Sequence, residues 1–115
     1  MIATFDKDTV LNIHNAVLDG KGFILRVDGS VEEFNPNLPH GHGTTYHTPE
    51  VREKCGFDWF ELVRMPGFGY LMIDEEGKLK AKSVNLIATY FFQKYTHTAD
   101  VIVGDCLICS LDALK

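Results

Sequence analysis

The chain has 115 residues, 45% of them hydrophobic and 23% charged, with a formal net charge of −5. That length suits one domain with its own core, and that composition excludes a disordered chain. Eleven basic residues are spread along it without a cluster, so the footprint of a duplex-binding protein is missing, and no apolar run reaches the roughly 20 residues that a membrane helix needs. Three cysteines, an odd number, suggest no disulfide framework. The first residues lack a basic stretch followed by an apolar one, so no secretory signal is read. The expectation is a cytoplasmic protein.

In chain order, Asp8 is a helix cap, and Val10, Ile13, Ala16 and Val17 form a stripe of helical period up to Gly20. Residues 22–27 are apolar and β-prone, and Asp28-Gly29 signals a hairpin returning through 30–34. Residues 35–47 are irregular: Asn35-Pro36-Asn37 breaks the strand, and Pro39-His40-Gly41-His42-Gly43 suits neither a helix nor a central strand. Thr48-Pro49-Glu50 starts a short helix that Gly56 ends. Strands are expected over 58–65 and 70–74, with a turn at 66–69, and a short third one over Lys78-Leu79-Lys80. Ser83 caps a long helix with Val84, Ile87, Ala88, Phe91, Phe92 and Tyr95 on one face. Residues 100–110 read as a buried strand interrupted by a bulge at Gly104. The fold class is therefore α+β: a mostly antiparallel sheet of about five strands covered by one long amphipathic helix, with an added N-terminal helix.

Several stretches resemble the domain of unknown function 3846 of bacteriophages, plasmids and related viral genomes. They are the hairpin from Phe23 to Glu33, the strand Phe60–Arg64 behind Gly56, the stretch Leu71–Leu79 with its Asp-Glu-Glu-Gly turn, the helix start Asn85-Leu86-Ile87-Ala88, and Asp100–Ile108. The resemblance covers residues 22–110 within a single domain of 1–115, leaving 1–21 as an N-terminal helical extension. The histidine loop is also longer than the family pattern. What the resemblance implies is a viral or mobile-element accessory protein; it supplies no activity.

The candidate sites are then read from their chemistry. His40, His42 and His47, with Tyr46 among them, lie in a glycine-rich loop that can wrap zinc, with His97 and Cys55 available to complete a shell. A His-x-His pair is a weak signal by itself, and a solvated loop is the plainer reading. Cys106-x-x-Cys109 has chelating spacing, but on a strand residues three apart face opposite sides, so core packing is favoured. Ser83 and Asn85, with Lys80 and Lys82, mark a helix start that can hold a phosphate or simply cap the helix. Among the aromatics, Trp59 and Tyr70 are the ones expected to face outward, where such rings stack bases. The carboxylates Asp58, Glu61 and 74–76 are more simply solvated. No nucleophile–base pattern is found.

Together with the resemblance, these residues lead to the expectation of a non-enzymatic accessory protein with no cofactor, acting in the host cytoplasm if viral. It is expected to bind a host or element-encoded protein, or a small nucleotide-derived ligand, through His40, His42, Tyr46, His47, Ser83 and Asn85, and to counter host defence. The rival is a metal-dependent enzyme built around the histidine loop. The oligomeric state stays open, a homodimer included.

Overall fold

The computed structural model describes residues 7–34 and 48–110. Helix α1 spans Lys7–Leu18, strands β1 and β2 span Phe23–Leu25 and Val31–Glu33, and helix α2 spans Thr48–Cys55. Strands β3 (Phe60–Met65) and β4 (Gly69–Asp74), helix α3 (Leu86–Thr96) and strand β5 (Cys106–Ser110) complete the order. The five strands form one sheet in the order β2-β1-β5-β4-β3, and every neighbouring pair is antiparallel.

Local chemistry accounts for most of these elements. The β1–β2 hairpin closes through Asp28, whose carboxylate accepts from the Ser30 amide at 2.8 Å, and through Gly29 at φ +90°. Gly56, at φ +72°, stops α2 in the left-handed conformation that side chains resist. The last strand is the centre of the sheet and is buried along its whole length. Its side chains alternate: Cys106 and Ile108 face one apolar cluster, Leu107 and Cys109 the other. A continuous apolar run is what a strand covered on both faces requires.

The two clusters correct the expectation of one long covering helix. On the first face, Val10, Ile13 and Val17 of α1 pack together with Ile87, Ala88 and Phe91 of α3 over Leu25, Leu71 and Ile108. The N-terminal helix is thus part of the main core. On the second face, Val51 and Cys55 of α2, with Phe57, cover Ile24, Met72 and Leu107. Helix α3 has only 11 residues and is capped by Asn85, not Ser83. The reason is tertiary: Val84 bridges Val103, the Gly104 amide donates to the Ser83 carbonyl and the Asn85 amide to the Ile102 carbonyl. Those bonds hold 83–85 extended, so the helix begins later.

Three further boundaries differ. Lys78-Leu79-Lys80 lies in consecutive turns, because the amides of Gly77, Lys80 and Lys82 close back onto the carbonyls of Asp74, Glu76 and Gly77. Strand β3 begins at Phe60, after an exposed Asp58 and Trp59. The expected strand over 100–110 is regular only from Cys106, since Gly104 at φ +80° breaks the extended run.

Candidate binding surface

Ser83 and Asn85 are brought together at the junction of α3 with the sheet, but Asn85 faces inward and is 0% exposed. Its Nδ2 donates to the carbonyls of Leu25 at 2.9 Å and Gly104 at 3.0 Å, and its Oδ1 accepts from the Ala88 amide at 3.1 Å. These bonds tie the start of α3 to β1 and to the Gly104 turn, and they pair the buried amide side chain fully. The neighbouring lysines are engaged too. Lys82 Nζ reaches Asp74 at 2.6 Å and donates to the Gly56 carbonyl at 2.9 Å, while Lys80 approaches Asp74 at 3.4 Å. Burial alone would raise the Asp74 carboxyl. The hydrogen bonds from Lys82 and the Glu76 amide, with the Lys82 charge, outweigh it and hold the group below the ordinary carboxylate value. Asn85, Lys80 and Lys82 thus all make bonds within the fold. Ser83 remains exposed beside them.

His40, His42, Tyr46 and His47 lie outside the described residues. Of the proposed completing ligands, Cys55 is buried on the α2 face, whereas His97 sits exposed at the end of α3, which packs on the other face. Among the described residues no group of three His, Cys, Asp or Glu side chains is placed to hold a metal ion. Cys106 and Cys109 face opposite sides of β5, as strand geometry demands. Burial pushes the Cys55 and Cys109 thiols up to about 12 and the Cys106 thiol well above its usual value, so none is a ready nucleophile.

The outer border of the sheet is different in kind. Strand β3 is hydrogen-bonded to β4, and among the described residues nothing pairs with its other side. It is six residues long, and its middle carries Leu62, 38% exposed, between exposed Glu61 and Arg64. The opposite border is β2, only three residues long and laced by Glu32, which bonds Arg26 at 2.8 Å and Lys54 at 2.6 Å. Short, charged edges resist further pairing, whereas a long edge with an apolar centre invites it. Trp59 stands at the head of β3 and is 63% exposed. A tryptophan is usually among the most buried residues by area.

Two concavities flank this border. One, of about 380 Å³, is lined by Arg52, Glu53, Phe57, Asp58 and Trp59. Arg52 Nε is buried there without a hydrogen-bond partner, and its guanidinium lies 5.9 Å from the centre of the Phe60 ring. The other, of about 340 Å³, lies between β3, β4, α3 and residues 100–103, with Val63, Ile73 and Phe92 among its apolar walls. Gln93 ties the far wall in place by donating to the carbonyls of Ala99 and Asp100, and Thr89 does so by accepting from the Ile102 amide at 2.9 Å. The sequence singles out Trp59 and Tyr70 as outward-facing; Trp59 is, whereas Tyr70 is half-buried against the second apolar cluster. The sequence does not single out Leu62 or either cleft, although the alternation of Phe60, Leu62 and Arg64 against Glu61, Val63 and Met65 carries the information on faces.

Chemically, this border offers backbone donors and acceptors, a large aromatic ring, a guanidinium and carboxylates, with no assembled nucleophile and base. Comparison with known proteins adds no relative: no family model, no curated protein and no solved structure matches the chain.

Proposed function

We propose that this chain is a non-catalytic binding module that holds a protein partner along the β3 border. The observation that carries the reading is Trp59, 63% exposed at the head of an edge strand with one side unpaired among the described residues. Trp and Arg are enriched where binding energy concentrates, and Trp59 lies beside Arg52 in one cleft. Main-chain pairing to an open edge supplies affinity, and side chains beside it supply selectivity. On the resemblance to the domain of unknown function 3846, the proposed source is a virus or mobile element and the proposed partner a host or element-encoded protein, a defence protein included. The small-ligand alternative loses its motivation, because Asn85 and both lysines at the helix start are engaged within the fold.

The test is in-cell crosslinking followed by identification of the attached protein. Trp59→Ala combined with Leu62→Glu should abolish the crosslinked species without lowering the melting temperature. Leu18→Ala, at another exposed leucine, should leave it intact. A species recovered equally from all three chains would remove the border from consideration.

A further inference from the structure

The cleft on the α3 side of β3 narrows what the partner must look like. Its lining includes Glu61, Asp74, Glu75 and Asp100 against a single cation, Lys78. Two of those carboxylates are already matched: Lys78 bonds Asp100 at 2.5 Å, and Asp74 is held by Lys82. Glu61 and Glu75 have no ion-pair partner among the described residues. Val63 and Met65 pack on the α1–α3 side, so the alternation of the strand puts Glu61 on that side too. The result is an apolar floor of Val63, Ile73 and Phe92 beneath two unmatched carboxylates, directly beside an open strand edge.

We propose that the occupant of the β3 border is an extended segment of another protein, paired to β3 as a sixth strand, with lysine or arginine at the positions facing this cleft. The proposal rests on the reading of the border as a protein-binding edge and specifies its partner. A long basic side chain suits the site in both of its parts: its aliphatic stem lies on apolar walls while its head stays among carboxylates at the rim. The chain's net charge of −5 favours approach of a basic segment as well.

A second copy of the chain fits this edge poorly. Two antiparallel β3 strands related by a two-fold axis place side chains of the same face opposite one another. Centred on Leu62 or on Val63, such a pair puts Val63 or Met65 of the second copy opposite Glu61. Arg64 projects to the other face, so no cation reaches Glu61, and the two Glu61 carboxylates share one side of the new sheet. Neither register therefore supplies Glu61 with a counter-charge.

The experiment uses the full chain and two short synthetic peptides, one alternating lysine with valine and one alternating glutamate with valine. Trp59 is the only tryptophan, so its emission reports events at the head of β3, and amide shifts over residues 60–65 locate pairing. The lysine peptide should bind saturably, shift those amides and move the emission, and the glutamate peptide should do neither. Glu61→Lys with Glu75→Lys should weaken the lysine peptide by about tenfold or more and turn the preference toward the glutamate peptide. Absence of lysine-peptide binding, equal binding of both peptides, or indifference to the charge reversal would overturn the proposal. So would a sedimenting dimer with protected β3 amides, which would assign the edge to a second copy. If the cellular crosslink depends on Trp59 and Leu62 but not on Glu61 and Glu75, the binding edge stands and the basic-strand partner falls.

Discussion

The centre of the sheet and its β3 border draw on the same residue types and use them oppositely. Toward the centre, polar side chains are bonded within the fold: Asn85 serves two carbonyls and an amide, and Lys82 serves Asp74 and Gly56. Along β3, Glu61 and Arg64 are exposed, a leucine is half out of the core and a tryptophan stands in solvent. Matched buried groups contribute to stability because leaving any one alone costs about 1–3 kcal/mol. Unmatched exposed groups contribute almost nothing to folding and remain free for a partner. The comparison teaches where to separate stability from function in this molecule, and substitutions can test the separation directly.

The largest effect should come from Gly69→Ala. A Cβ at Gly69 would lie 2.2 Å from the Cys109 carbonyl oxygen, which is backbone and cannot swing away. The cost should be roughly 3 kcal/mol or more, read from chemical denaturation. A parent-like midpoint would mean that β4 and β5 do not approach as closely as described. Next is Asn85→Ala, which removes a helix cap and the side-chain bonds to two carbonyls, at about 2–4 kcal/mol. Asn85→Asp should also destabilise, since it keeps the cap but turns an acceptor toward the carbonyls of Leu25 and Gly104.

Gly104→Val should lower stability by roughly 1–3 kcal/mol. Two causes act together: the φ of +80°, which a branched residue resists, and a contact of 2.8 Å with Lys82 Cδ. Because Lys82 holds Asp74, this variant should also blunt the acid sensitivity of the fold. The sign of that sensitivity is set by a carboxyl held below its ordinary value of 3.8 in the folded chain. Its contribution is fully present above that value and is lost as pH falls through the lower folded one. Denaturation midpoints measured from neutral pH downward should therefore drop in the acid range, and less so in Asp74→Asn. Smallest of all is Trp59→Ala, expected within about 0.5 kcal/mol of the parent by thermal melt. A large loss there would erase the contrast between centre and border, because Trp59 would then belong to the core.

Much of the local architecture was legible from residue order. Asp28-Gly29 announced the hairpin, Gly56 ended α2, and strand periodicity separated Cys106 from Cys109. The start of α3 was misjudged by two residues because Ser83 is a good cap in isolation. What displaced it is a set of bonds to residues 102–104, which no window around Ser83 contains. The phosphate reading failed to find support for a related reason: Lys80 and Lys82 look free in sequence and are engaged by Asp74 in space.

By itself, the sequence determined the α+β class, the antiparallel character of the sheet and the apolar run that became its central strand. Those properties follow from turn chemistry and side-chain period, which act between near neighbours. Only the tertiary structure decided that β5 enters between β1 and β4, leaving β3 as a border. It likewise decided that α1 joins α3 on one face while α2 takes the other. Strand order is settled by which apolar faces bury each other best across the whole chain, and the same competition leaves Trp59, Leu62 and Glu61 at an edge that no other described strand covers.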